Sequence, residues 1–411
     1  MSMPVSVTIR CYDSSIMQIF ATPELRSDEL EVLELIDGLR HELRHYVAEP
    51  RQWTGALRRT SFARAVQASN SIEGYNASIE DTAAIVEDEP ALEASEATQH
   101  AIAGYRDALT YVLQIAGDGA FRVDEGLLRS LHFMMLRHEL EKSPGNWRSG
   151  EVFVVRSDSG ERVYSGPDAE VVPGLIASML ERLDADEAPP LVRGAMAHLN
   201  LAMIHPFRDG NGRMARCLQT LVLARESKVS PVFSSIEEFL GRNTAAYYDV
   251  LAEVGAGSWN PGHDARPWIR FCLRAHYIQA ASLLRRNAEL ESLYVACEQL
   301  AAERGLPERV AAALLASAYG LRLRRAGYIS TVTSASGEPL SELTASRDLQ
   351  QIVKAGLLEA FGSGRGRYYL PGDRLKLLRA EARESRPARA SDPFDLVRKR
   401  RQTAFDLELD G

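Results

Sequence analysis

Apolar positions along this chain recur mostly at intervals of three and four, the spacing that puts side chains on one face of an α-helix. Leu30, Val32, Leu33, Leu35, Ile36, Leu39 and Leu43 predict a helix over 27–46, with Ser27 as its N-cap ahead of Glu29 and Glu31. A second helical stretch, 60–75, carries Ala65, Val66, Ser69 and Ile72 and ends at Gly74, a residue suited to the left-handed turn after a helix. Its Glu73 falls in the last turn, where the helix macrodipole disfavours an anion unless a cation meets it. Helical spacing continues over 79–140, interrupted at Glu87-Asp88-Glu89-Pro90 and at Gly117-Asp118-Gly119, and returns over 170–190 and 192–204. Leu218, Leu221 and Val222 start another helix, Arg242-Asn243-Thr244 opens one through Tyr247-Tyr248, and Trp268 to Leu284 closes this helical region. One segment breaks the pattern. After the turn-rich 143–148, Val152-Phe153-Val154-Val155 and Arg162-Val163-Tyr164 flank Ser157-Asp158-Ser159-Gly160, which predicts a β-hairpin. The expected fold is mainly α, a helical bundle core with a hairpin flap.

From about Leu290 the character changes. Helices are expected over 290–304, from Pro307, and over 340–355, followed by two short strands joined by Gly362-Ser363-Gly364-Arg365-Gly366-Arg367. That is the layout of a winged helix-turn-helix, and Thr344-Ala345-Ser346-Arg347-Asp348-Leu349 resembles such modules. Arg347, Arg365 and Arg367 could reach a DNA backbone, but the module is only mildly basic, and docking to protein or to a second copy of the chain fits equally. No helix follows the Gly-rich turn, so it is not a nucleotide loop. Residues 373–411 alternate charges with little apolar content and are expected to form a flexible tail. The expected division is 1–110, an N-terminal helical region; 111–288, the core; 289–372, the winged-helix domain; and 373–411, the tail.

At 411 residues the chain can bury more than one core, and its 45% hydrophobic and 25% charged composition is ordinary for a globular protein. A net charge of −8 argues against wholesale nucleic-acid binding while allowing one basic module. Cys11, Cys217, Cys272 and Cys297 lack ligand-like spacing and suggest a reducing compartment. Met1 to Phe20 lacks a basic start followed by an apolar core, and no run reaches the ~20 apolar residues of a membrane span. A cytoplasmic location with no membrane contact is therefore expected. His41-Glu42-Leu43-Arg44-His45 matches the His-Glu-x-x-His zinc pattern, but no third ligand motif follows, and exposed helix polarity is the expectation there.

The chemistry concentrates between two helices, in Ile204-His205-Pro206-Phe207-Arg208-Asp209-Gly210-Asn211-Gly212-Arg213-Met214-Ala215-Arg216. Gly210 and Gly212 around Asn211 allow a sharp turn whose N–H groups aim at one point, and the N-terminus of the following helix adds its dipole, which together make an anion site. Arg213 and Arg216, three apart, could grip phosphates from one helix face. Asp209 has no cationic role there unless a divalent metal joins the phosphates, and its hard oxygens suit Mg²⁺. His205 is positioned to take a proton near neutral pH, and Phe207 reads as the core anchor of the loop. Mid-helix His198 reads as a packed structural residue.

This run resembles the signature of the Fic family, His-Pro-Phe-x-(Asp/Glu)-Gly-Asn-(Gly/Lys)-Arg-x-x-Arg, at every specified position. The resemblance implies an α-helical protein adenylyltransferase that moves AMP from ATP to a Ser, Thr or Tyr hydroxyl of a target protein or of itself. By position it implies His205 as the base, Asp209 as the Mg²⁺ ligand, Gly210, Asn211 and Gly212 as the phosphate cradle, Arg213 at the β/γ end and Arg216 on the γ-phosphate. Asn243 would approach the adenine side and Tyr247 wall the pocket, although both equally suit an N-cap and a core position. Ser69-Asn70-Ser71-Ile72-Glu73-Gly74 resembles the family's inhibitory motif, (Ser/Thr)-x-x-x-Glu-(Gly/Asn), in the subclass that carries it N-terminally. That implies a Glu73–Arg216 salt bridge across the γ-phosphate site. The hairpin at 152–164 is implied to hold the target by strand addition. Two rivals stand beside this reading: a DNA-binding regulator that senses nucleotide, and a related enzyme that uses another phosphate donor or removes AMP. Whether the chain pairs with a second copy is left open.

Overall fold

The computed structural model describes residues 17–48, 51–155, 162–226 and 233–409. Residues 1–16, with Cys11, and 156–161, which include the expected hairpin turn Ser157 to Gly160, lie outside the described residues. In chain order the helices are α1 (Ser27–Ala48), α2 (Thr54–Ile72), α3 (Ile79–Val86), α4 (Glu96–Ile115), α5 (Glu125–Leu136), α6 (Val172–Ala185), α7 (Pro190–Ile204), α8 (Asn211–Glu226), α9 (Glu237–Arg242), α10 (Thr244–Gly255) and α11 (Arg266–Glu303). They continue with α12 (Val310–Ala318), α13 (Arg325–Ser336), α14 (Glu342–Lys354), α15 (Asp373–Glu384) and α16 (Pro393–Leu409). The strands are β1 (Phe153–Val155), β2 (Arg162–Ser165), β3 (Gly257–Ser258), β4 (Leu358–Phe361) and β5 (Tyr368–Pro371). The fold is mainly α, as the spacing predicts. Local sequence sets several starts: Ser78, Ser95 and Asp124 each accept a hydrogen bond from the third residue of the helix they precede.

α7 is buried on nearly all sides, because it stands between two cores. On one side Leu201 and Ile204 pack with α4, α5, α6 and α8. On the other, Leu191, Val192, Leu199 and Met203 pack with α1, α10 and the first half of α11, where Trp268 Nε1 donates to the Ala195 carbonyl at 2.7 Å. β1 and β2 run antiparallel, with Phe153 opposite Ser165, and β3 joins the far side of β2 in parallel. Among the described residues β1 is thus an edge strand. A third core gathers the second half of α11, α12, α13, α14, the β4–β5 hairpin and α15, together with Ala56, Leu57 and Ala63 of α2.

Three expectations are corrected. The boundary set at 288/289 falls inside α11, which runs unbroken through 38 residues. The polar run there is buried by pairing, with Arg286 on Glu238 at 2.8 Å and Glu289 on Arg386 and Tyr319. The boundary at 110/111 likewise falls inside α4. The described part of the tail is two docked helices. Leu375, Leu378 and Ala382 fill one face of α15, and Phe394 and Val397 start α16. Arg274–Asp392, Arg401–Glu31 and the Arg270 guanidinium 3.8 Å over Phe394 pin the second. Few apolar residues suffice when they share a face, which an overall count of polarity conceals. No helix among the described residues is long and apolar enough to cross a membrane.

Candidate active site

The loop between α7 and α8 is held from four directions. His205 closes α7 in the left-handed conformation (φ 51°, ψ 59°), which turns the chain sharply out of the helix. Arg148 secures that turn: its backbone N–H donates to Pro206 O at 2.9 Å, and its guanidinium donates to the carbonyls of His205 and Gly150, each at 2.8 Å. These bonds tie the end of α7 to the segment before β1. Asn211 ties the loop to itself, accepting from Phe207 N at 2.8 Å and donating to Phe207 O at 2.9 Å. His132 of α5 stacks on the Phe207 ring at 3.8 Å, donates through Nε2 to the Asp209 carbonyl at 2.9 Å and accepts from Gly145 N at 2.8 Å. Burial lowers the His132 pKa to about 4, so the ring is neutral and keeps that tautomer. Gly210 needs its freedom twice, having φ +75° and a pro-Cβ position 2.6 Å from Leu136 Cδ1.

At the start of α8 the arginines turn inward, both essentially fully buried. Arg216 donates from Nε to Ser69 Oγ at 2.7 Å, and from Nη2 to Ser69 O at 3.0 Å and Glu73 Oε1 at 2.7 Å. Burial alone would lower the Arg216 pKa, but the charge and hydrogen bond of Glu73 outweigh it and hold the group above its ordinary value. The Glu73 carboxylate also abuts the first turn of α8: a Cβ on Gly212 would lie 2.5 Å from Glu73 Oε1. The Glu73 carboxylate, just past the end of α2, therefore stands at the positive end of α8. Gly74 follows with φ +86°, the left-handed stop its position suggested. Arg213 has no hydrogen bond from Nε or Nη1, and its guanidinium faces the Tyr75 ring at 5.4 Å.

His205 Nδ1 lies 3.2 Å from the Ala202 carbonyl, which can only accept, so Nδ1 carries the proton and Nε2 keeps its lone pair. Burial lowers the His205 pKa, with Arg148 adding to the effect, and the hydrogen bond to Ala202 opposing it; the neutral form is therefore favoured. Asp209 accepts from Gly210 N at 2.6 Å and from Lys142 Nζ at 2.6 Å. Burial would raise its pKa, but these hydrogen bonds overcome that and keep it ionised. Tyr247 is buried behind Arg216, its hydroxyl 3.0 Å from His198 Nε2, while Asn243 is exposed and bonds the Phe239 carbonyl at 2.8 Å. His198 packs as its setting suggested, donating to Gln219 Oε1 at 2.7 Å, with its pKa lowered to about 3 by burial. His41 and His45 are exposed, and among the described residues no three His, Cys, Asp or Glu side chains gather as a metal set. Cys217, Cys272 and Cys297 are buried free thiols. Nothing in the sequence pattern marks His132 or Lys142, and Arg148 stands there only as part of a turn-rich stretch.

Residues 122–223 match the Fic/DOC family. The chain is 31% identical over 258 residues to "Protein adenylyltransferase Fic" of Nematostella vectensis, covering 62% of this chain and 56% of that protein. It is 26% identical over 269 residues to "Protein adenylyltransferase fic-1" of Caenorhabditis elegans, covering 63% and 48%. The matches thus span about half the length of these curated relatives. In fold it is similar to a Fic family protein from Desulfovibrio desulfuricans G20, with a TM-score of 0.55 at 23% identity over 86% of this chain and 98% of that one. The loop from His205 to Arg216 lies inside the segment that matches the Fic/DOC family, residues 122–223.

Proposed function

We propose that this protein is a protein adenylyltransferase that transfers AMP from ATP to a Ser, Thr or Tyr hydroxyl of a target protein or of itself, and that Glu73 restrains it. One observation carries the reading: the Glu73 carboxylate sits on the buried Arg216 at 2.7 Å and against Gly212 at the start of α8, where an anion belongs. A γ-phosphate would compete for the same guanidinium and the same helix N-terminus. Arg213, buried with two N–H groups unbonded, supplies donors that phosphate oxygens would satisfy.

In the transfer, the target hydroxyl oxygen bonds to the α-phosphorus while the bond from that phosphorus to the oxygen bridging the β-phosphate breaks. The hydroxyl proton passes to His205 Nε2, and pyrophosphate leaves toward Arg213 and Arg216. The backbone N–H groups of Asn211 and Gly212, at the start of α8, would face the phosphates, while the Gly210 N–H is held by Asp209. Asp209 fits a divalent ion on donor chemistry: it is a hard carboxylate, 38% exposed, and among the described residues no three His, Cys, Asp or Glu side chains gather as a metal set, so it would hold Mg²⁺ as a lone protein carboxylate in the presence of phosphates. Mg²⁺ bound there would neutralise phosphate charge. The open edge of β1 suits strand addition by a target segment. The α13–α14–β4–β5 order, with Leu323 bridged to Tyr369, supports a winged-helix module whose Arg347 and Arg367 are exposed.

The test uses ATP labelled at the α- or the γ-phosphate, offered to the full chain and to a cell lysate. Expected are weak α-label on wild type, strong α-label with Glu73→Gly, none with Glu73→Gly and His205→Ala together, and no γ-label anywhere. If no variant takes α-label while ATP still binds, the transfer reading fails.

A further inference from the structure

The segment that carries Glu73 also reaches the opposite end of the anion site. Two residues on, Tyr75 faces Arg213 and donates its hydroxyl to Glu139 Oε1 at 3.2 Å. Glu139 Oε2 pairs with Lys142, and Lys142 Nζ stands 2.6 Å from Asp209 Oδ2. Arg208 Nη1 donates to Glu141 O at 2.9 Å and so fixes the turn that presents Lys142 to the loop. Both Asp209 oxygens are engaged, since Oδ1 accepts from Gly210 N at 2.6 Å. A backbone N–H can share its acceptor with an incoming ion, but an ammonium on the outer oxygen cannot, because two cations would meet at one atom.

We infer that Lys142 is a built-in competitor for the divalent ion at Asp209, and that Glu139 and Tyr75 tie it to the inhibitory segment. The restraint then grips both ends of the phosphate chain: Glu73 holds the γ-phosphate arginine, and Lys142 holds the metal carboxylate. Loss of the inhibitory segment from its seat removes the Tyr75 hydroxyl from Glu139, which frees that carboxylate to draw Lys142 off Asp209. Lys142 is thus a positioning residue, acting through Asp209. This inference rests on Asp209 being the metal carboxylate, as proposed above.

The experiment measures Mn²⁺ binding to the full chain with saturating ADP, by the electron paramagnetic resonance of free Mn²⁺, so that turnover plays no part. Lys142→Met is expected to bind Mn²⁺ about fivefold more tightly than wild type, the scale of a partly exposed ion pair. Tyr75→Phe keeps the ring over Arg213 and loses the hydroxyl, and is expected to shift affinity the same way by a smaller factor. Lys142 sits on an exposed turn, and circular dichroism checks that each variant folds. Unchanged or weaker binding by Lys142→Met, with Asp209→Asn clearly weakened, would overturn the competition and leave the proposed function intact. Tightening by Lys142→Met alone, with Tyr75→Phe at wild-type affinity, would overturn the tie to the inhibitory segment. Asp209→Asn binding Mn²⁺ as wild type does would remove the metal seat itself and so count against both readings.

Discussion

The Glu73–Arg216 contact should have two thermodynamic faces that can be measured without any chemistry. Removing the carboxylate with Glu73→Ala deletes a 2.7 Å charge-assisted hydrogen bond to a guanidinium that is otherwise fully buried. Alanine suits the position, because residue 73 has φ −90° and ψ 7°, with no left-handed requirement. Arg216 keeps its bonds to Ser69, so the group is only partly orphaned. A hydrogen bond to a charged partner contributes about 1.5–3 kcal/mol, so the ligand-free variant should lose about 2 kcal/mol of stability. If the γ-phosphate takes the same seat, ATP need no longer displace the carboxylate, and its affinity should rise by about the same 2 kcal/mol, roughly 30-fold.

The assay compares Glu73→Ala with its parent, both carrying His205→Ala so that no transfer occurs. Chemical denaturation gives the ligand-free stability, and calorimetric titration with Mg²⁺-ATP gives the affinity. The variant should be less stable alone and should gain more from ATP. A stability loss with unchanged ATP affinity would refute the shared seat, because it would mean ATP binds beside an intact Glu73–Arg216 pair. Tighter ATP binding without the stability loss would refute the strength assigned to the contact.

Three further outcomes are expected. His205, whose pKa burial lowers, stays a neutral acceptor below the usual histidine range, so kcat/KM of the Glu73→Gly enzyme should fall on acidification with a midpoint below 6.5; a midpoint at or above that value would contradict the site's desolvation. Deleting 387–411 should lower the melting temperature and expose α1 to proteolysis, because Phe394, Val397 and the Arg401–Glu31 pair cover that helix; an unchanged melting curve would show α16 contributing nothing. Buried Glu237, hydrogen-bonded by Tyr105, has its pKa pushed up by burial to about 7 from 4.5, so the folded carboxyl keeps a proton that the unfolded chain releases, and stability should fall as pH rises through that window. Glu237→Gln should therefore outlast wild type at pH 8 by about 3 kcal/mol and lose that advantage near pH 4.5, as denaturant midpoints would reveal.

The loop was legible because its chemistry is contiguous: His205 to Arg216 run from the end of α7 through a short loop into the start of α8, and helix periodicity on both sides locates them. Glu73 was legible for a different reason. A carboxylate in a last helical turn calls for a cation without naming one; the resemblance of residues 69–74 to the Fic inhibitory motif implied Arg216, which stands 2.7 Å away across 143 residues of sequence. Asp209 posed the same kind of question, and the structure answers it with Lys142, a lone residue beside a turn with no pattern to mark it. His132 sits mid-helix among apolar residues, as His198 does, and its packing against Phe207 and the Asp209 carbonyl is a product of tertiary structure alone. The change of character near Leu290 does not show that α11 runs through it, because the polar residues just before it are buried by partners far away in sequence, Arg286 on Glu238 and Glu289 on Arg386.

α2 is the element that would make Glu73 an effective restraint, because its position is fixed along most of its length. Its first half lies in the third core through Ala56, Leu57 and Ala63, and Arg59 Nη2 donates to Thr331 Oγ1 of α13 at 3.3 Å. Its middle is wedged on α9, where a Cβ at Gly241 would lie 2.8 Å from Ala68 Cβ, and Arg64 stands 3.9 Å from Glu238, the partner of Arg286 on α11. Val66 belongs to the core around α8, and Ile72 to the one around α10. A helix bound in three cores does not slide by less than a side chain's width without opening cavities, and cavities are costly. The last turn is bound more weakly. Beyond Ser71 it keeps backbone bonds from Glu73 and Tyr75 to Asn70 O and from Gly74 to Ser71 O, and Gly74 supplies a ready pivot. Fraying of that turn moves Glu73 and Tyr75 while Ser69 stays on Arg216, so release costs a few hydrogen bonds and leaves the cores intact.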